Sequence, residues 1–162
     1  MSSTVDTDPK ALPSPTTISE AANIELYDVD GKKVRFGTLF EEKKVVVVFI
    51  KTTSIPTTHI FANPDRSLFR LLGMTKETTE RTPQGEERKG YVKRDTLWDH
   101  VVDFAPAMMK NWRLIGKHGN HGQLGGDFVF GPGPECSFAS RMRHTEDHVE
   151  IPELMKAAGV EL

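Results

Sequence analysis

The residues of this chain that could do chemistry are one cysteine and a group of histidines. Cys136 lies in the stretch GNHGQLGGDFVFGPGPECSFASRMRHTEDH, Gly119 to His148, and four of the six histidines, His118, His121, His144 and His148, lie in or beside it. A thiol reacts as the thiolate, which forms where a helix N-terminus or a cationic neighbour stabilises it. The basic residues near Cys136 in sequence are Arg141, Arg143 and His144, so Cys136, Arg141 and His144 are the candidate catalytic set. Against this, Cys136 reads as the start of a strand, where a lone cysteine is simply a small buried apolar side chain.

A metal site is the second candidate. His144 and His148 are four apart, with Glu146, Asp147 and His121 as further donors. That spacing joins two histidines only on a helix, and two histidines alone are a weak ligand set, so no metal is expected. Two other chemistries are weaker. Gly122-Gln-Leu-Gly-Gly126 has no lysine and no helix after it, so it is no nucleotide loop. Glu146, Asp147 and Glu150 could pair for acid–base work, but the same residues serve to cap a helix start.

The element that must position these groups is a β-hairpin. Asp127 to Phe130 is aromatic and β-branched, as a strand prefers. Gly131-Pro-Gly-Pro134 then forces a reversal, because Gly permits positive φ and Pro fixes its own φ. Cys136 to Met142 returns, with Cys136, Phe138 and Arg141 at strand positions. Gly125-Gly126 predicts a close backbone approach or a bulge.

Earlier in the chain, Ile24, Leu26, Val34 and Phe36 alternate around Asp30-Gly31, a hairpin signal. Thr38 to Glu42 reads as one helical turn. Val45 to Ile50 is continuously apolar, which suits a central strand covered on both faces, as in a parallel α/β sheet. Ile60-Phe61 reads as a short strand. Asn63 as N-cap, Pro64 at the first helical position and Asp65 in the first turn predict a helix with Leu68, Leu71 and Leu72 on its apolar face and Gly73 as its stop. Thr75 to Arg94 is a polar excursion. Leu97, Val101, Phe104 and Met108 predict a helix over Thr96–Met109, and Pro152 to Ala158 a last helix ended by Gly159.

Composition removes several function classes. A net charge of −2 and a pI near 6.3, with Lys and Arg scattered, leave no footprint for nucleic acid or an anionic membrane. Val45–Ile50, the longest apolar run, is far too short to span a bilayer. A single cysteine excludes an internal disulfide and indicates a reducing, cytoplasmic compartment. The polar N-terminus does not read as a signal peptide. The length suits one domain with a real core. Residues 1–20 are expected as a disordered tail and residues 21–162 as the domain.

The motif GQLGGDFVFGPGPECSFASRMRHTEDH followed by IPELMKAAGV resembles the C-terminal half of peroxiredoxin-like proteins of the AhpC/TSA (alkyl hydroperoxide reductase/thiol-specific antioxidant) type, especially those of fungi. ELYDVDGKKVRFGTLFEEKKVVVVFI is similar to the N-terminal hairpin and first core strand of that family. IFANPDRSLFRLLGMT is similar to its D/N-P-x-R segment. The resemblance implies an α/β, thioredoxin-like mixed sheet with helices on both faces, thiol-dependent reduction of peroxides or a related small-molecule substrate, and no metal or organic cofactor.

The chain departs from the family where the chemistry sits. In the family the first core strand leads into a loop and helix bearing the redox cysteine, then a further strand and helix. Here Ile50 is followed by Lys51-Thr-Thr-Ser-Ile-Pro-Thr-Thr-His59, and the D/N-P-x-R segment begins at once. A parallel crossover needs about a dozen residues, which this segment lacks. Thr52, Thr53 or Ser54 could fill the vacated corner, but a hydroxyl cannot cycle through a sulfenate. One helix-strand-helix segment is therefore expected to be missing, and with it the peroxidase activity. The alternative is a non-redox catalyst or partner-binding module using a pocket near Cys136, His121 and His144. Loss of a strand also leaves an apolar edge, so a homodimer through the edge near Val45–Ile50 is expected.

Overall fold

A helix stands where the tail was expected. Ser14 Oγ accepts the Thr17 backbone N–H at 3.1 Å and Pro15 occupies the first turn, so α1 (Pro15–Ala22) is capped by sequence signals inside a Ser/Pro/Thr-rich stretch. Its Ile18 and Ala21 are buried in the core. These two positions dock α1 on the core.

The computed structural model describes residues 8–50, 59–90, 92 and 122–161. After α1 come the paired strands β1 (Glu25–Tyr27) and β2 (Lys33–Arg35), with Leu26 opposite Val34 as the alternation predicts. Their turn is organised by Asp28, whose Oδ1 accepts the N–H groups of Asp30 and Lys32, with Gly31 at φ 77°. Ala62 bridges to Tyr27 beside this pair. A 3-10 turn over Phe36–Leu39 starts two residues earlier than the expected turn and buries Phe36.

Strands β3 (Val45–Phe49), β4 (Gly126–Phe130) and β5 (Cys136–Arg141) form the main sheet in that order. The expected parallel setting of the valine run is corrected: Val45 pairs with Phe130 and Phe49 with Gly126, antiparallel. Among the described residues β3 is one edge strand of the sheet and β5 the other. Both faces of β3 are covered except at Val48, which is exposed. Val45 and Val47 face a cluster built from Phe36, Phe40, Phe128 and Phe130 with α1 and the helix α2 (Ser67–Leu71). Val46 faces Val129 and Leu154 of the helix α3 (Ile151–Ala158) on the other side. Helices therefore flank the sheet on both sides.

The helix expected from Asn63 is shorter than predicted. Arg66 takes a left-handed conformation, φ 54°, so helical geometry begins only at Ser67. Asn63 Oδ1 accepts the Leu68 N–H and Asp65 Oδ1 that of Ser67, so both residues cap from a preceding turn. α3 has Pro152 in its first turn and ends at Gly159, φ 81°. The expected helix over Thr96–Met109 lies outside the described residues.

Candidate functional site

The hairpin β4–β5 places Cys136 and Arg141 at opposite ends of one strand. Phe130 pairs with Cys136 at the turn end, and Gly126 with Arg141 at the far end. Four residues lie between them, and the five steps of strand span about 17 Å of backbone. A bulge shifts the register between Val129 and Phe130, leaving Ser137 unpaired. It turns Cys136 onto the phenylalanine face while Phe138 faces α3.

Cys136 is half-buried, and its thiol donates to the Phe138 carbonyl at 3.1 Å. Burial pushes its pKa up; the contacts with the backbone of Phe138 and Val129 and the more distant charge of Arg141 pull the other way without reversing it. Burial therefore favours the protonated thiol.

Arg141 is occupied with structure. Its Nε donates to Leu72 O at 2.6 Å, and one terminal nitrogen donates to Pro9 O at 3.2 Å and Ala11 O at 2.7 Å. The guanidinium also lies 5.5 Å from the Phe128 ring centre. Burial lowers its pKa. Gly73 makes room for it: a Cβ there would sit 2.9 Å from Nε.

His144 lies beyond the far end of β5, away from Cys136. It is buried, and its Nε2 points to Asp147 Oδ1 at 3.8 Å and Glu86 Oε1 at 4.0 Å. The expected set Cys136, Arg141 and His144 does not converge on one reacting centre. His118 and His121 lie outside the described residues, as do Thr52, Thr53 and Ser54.

The structure also separates His144 from His148. His148 Nδ1 meets Asp127 Oδ1 at 3.0 Å, and Asp127 Oδ2 accepts the Val149 N–H at 2.9 Å. Asp127, missed in the sequence, is 1% exposed as the second residue of β4. An acid inside so apolar a strand is itself the signal that a buried partner must face it.

The polar excursion after Thr75 docks on the turn that follows β5. Thr82 donates from both its N–H and its hydroxyl to Glu146 Oε2, and Thr145 donates in the same two ways to Glu80 O. Burial works to raise the Glu146 pKa, but the Thr82 donors together with Arg88 and Arg81 outweigh it and hold the carboxyl low. Asp147 is likewise raised by burial and lowered further by the hydrogen bonds from Arg143, with a net fall. Arg143 joins Asp147 to Glu86 and is held charged by both. Nothing in the sequence marks Glu86, since its partner lies 57 residues away.

A shallow cleft of about 210 Å³ opens at the hairpin turn, lined by Ala22, Arg35, Phe40, Glu41, Gly133 and Pro134. Among the described residues no helix is long and apolar enough to cross a membrane.

Comparison with known proteins gives the site its setting. The chain is 23% identical to the mouse protein "Peroxiredoxin-like 2C" over 189 residues, covering 86% of this chain and 79% of that one. The human protein of that name gives the same identity and coverage. The pufferfish Takifugu rubripes protein of that name is 28% identical over 121 residues, covering 72% of this chain and 49% of its own length. No solved structure matches the chain. Residues 32–144, well over half of the sequence, match the model of the AhpC/TSA antioxidant enzymes, and the chain belongs to that family and has its thioredoxin-like fold.

Proposed function

We propose that this protein keeps the AhpC/TSA scaffold without its thiol-dependent peroxide reduction, and works as a binding module. The observation that carries this reading is the state of Cys136. It is the only cysteine of the sequence, burial raises its pKa, and its thiol proton is engaged by Phe138 O. Peroxide reduction needs a thiolate that attacks one peroxide oxygen, becoming a sulfenic acid as the O–O bond breaks and the other oxygen leaves as water or an alcohol. The charges expected to make one do not suffice: Arg141, bonded to three carbonyls, lowers the thiol pKa without reversing its rise, and His144 lies past the other end of the strand.

The length of the alignment supports the same reading. It runs over 189 positions against the mouse relative, yet 86% of this 162-residue chain is about 139 residues. About 50 of those positions therefore have no counterpart here, room for the helix-strand-helix segment expected after β3. A lone unpaired thiol and a cytoplasmic location go together.

The cleft beside Gly133 and Pro134 favours binding over a repurposed catalyst, because it is smaller than ordinary ligand pockets of about 300 Å³ or more. The test is peroxide turnover. With thioredoxin or glutathione as reductant, the purified protein is expected to consume hydrogen peroxide no faster than an ordinary free thiol. Multiple turnovers that survive Cys136→Ser would overturn the proposal.

The binding surface we favour is the open edge of β3, and the partner a second copy of this chain. In support, β3 is paired on one side only among the described residues, and Val48 is 40% exposed on it. Open apolar edges recruit further strands. Sedimentation velocity should show a concentration-dependent dimer that Val48→Lys dissolves. A monodisperse monomer at high concentration would refute it.

A further inference from the structure

We propose that Glu86, His144 and Asp147 form a binding site for a divalent metal ion, zinc by its donor set. The inference starts from an orphan. His144 is 4% exposed, and its Nε2 is a buried side-chain atom without a hydrogen-bond partner among the described residues. Leaving a buried polar atom unpaired is costly, and native proteins seldom do so without a reason. The other ring nitrogen, Nδ1, has only a long contact of 3.3 Å from the Glu146 N–H.

What Nε2 faces supplies the reason. Asp147 Oδ1 at 3.8 Å and Glu86 Oε1 at 4.0 Å are too far for direct hydrogen bonds. One donor atom from each of the three residues nevertheless lies within 4.8 Å of the other two. A tetrahedral zinc with bonds of about 2.0–2.2 Å sets its ligands about 3.3 Å apart. The pairs at 3.8 and 4.0 Å need to close by about half to three-quarters of an ångström and the carboxylate pair by at most about 1.5 Å, leaving water as the fourth ligand. Metal on Nε2 places the ring proton on Nδ1, so the weak contact from Glu146 is given up. One imidazole and two carboxylates suit zinc better than calcium or magnesium, which take oxygen ligands.

One group competes for the site. Arg143 donates to Asp147 and to Glu86, and so neutralises the two carboxylates a metal would use. Its side chain is half exposed, so it can swing outward to water as the ion enters. The metal would then do what Arg143 does, with shorter bonds: clamp the excursion carrying Glu86 to the turn after β5. His148 takes no part, because Asp127 holds it elsewhere.

Cobalt(II) titration of the untagged, chelator-treated full chain tests this, with zinc calorimetry alongside. We expect one cobalt per chain with the intense visible bands of a four-coordinate site, displaced by zinc. Asp147→Asn and Glu86→Gln should each weaken binding by about tenfold or more, and His144→Ala should abolish the bands. Arg143→Met should tighten binding, which a merely structural Arg143 would not do. His59→Ala should leave it unchanged. Glu86 is partly exposed, so its variant folds even if the His144 variant does not. A weak octahedral spectrum, binding indifferent to Glu86 and Asp147, or no binding by either the wild type or Arg143→Met would overturn the site and leave a bridging water as the partner of Nε2.

Discussion

Gly125→Ala is expected to destabilise this protein severely. A Cβ at Gly125 would lie 1.8 Å from the Phe49 carbonyl oxygen and 2.8 Å from its carbonyl carbon. Both are backbone atoms, so no side chain can turn aside to make room. Relief requires β3 to move away from β4 by more than an ångström at the Phe49–Gly126 pair. Phe49 would then lose its edge-to-face contacts with Phe69 and Phe128. We expect a loss of about 3 kcal/mol or more, at the severe end of single substitutions. In a chain of this size that lowers the melting temperature by about 10 °C. Gly133→Ala is the control: nothing lies within 4 Å of its Cβ, and only its φ of 77° opposes the change, at about 1–2 kcal/mol. A Gly125→Ala protein that melts with the wild type would show that β3 and β4 do not meet here.

Arg141→Met should be the next most damaging change, and Arg141→Lys nearly as bad. The guanidinium is a fork that reaches Leu72 O, Pro9 O and Ala11 O together, tying the end of α2 and the segment before α1 to β5. A lysine ammonium is a single point and cannot span the three acceptors. Each charge-assisted bond is worth about 1.5–3 kcal/mol, and relief of the buried charge returns part of the sum. We expect a net loss of about 3 kcal/mol, measured by denaturant unfolding. Hydrogen exchange should rise first in residues 9–22, before the sheet opens. If the melt is unchanged while binding or catalysis is lost, Arg141 is a functional residue and the structural reading fails.

These two residues mark the line between what the chain spells out locally and what folding decides. Local chemistry is legible because its causes lie within a few residues. Asp30-Gly31 predicts the first hairpin, Gly131–Pro134 the second, and Gly159 the end of the last helix; all three stand, with Gly31, Gly131, Gly133 and Gly159 at positive φ. The glycine pair 125–126 likewise predicts a close backbone approach, and Phe49 is what approaches. Where two local signals compete, the reading is less sure. Asn63-Pro-Asp65 looks like a helix start, but the left-handed Arg66 delays the helix to Ser67.

Tertiary structure alone decided the rest. An apolar run of valines reads the same whether its neighbour is parallel or antiparallel, so only the docking of β4 against β3 set its direction. Cys136, Arg141 and His144 are near in sequence, yet a strand carries Cys136 and Arg141 apart, while a turn and the distant Glu86 give His144 its surroundings. Spacing reports which residues share an element. It carries no information on which acceptor, 69 or 132 residues distant, a buried guanidinium will find. That choice follows from the need to satisfy every polar group the core encloses, which only the assembled fold can meet.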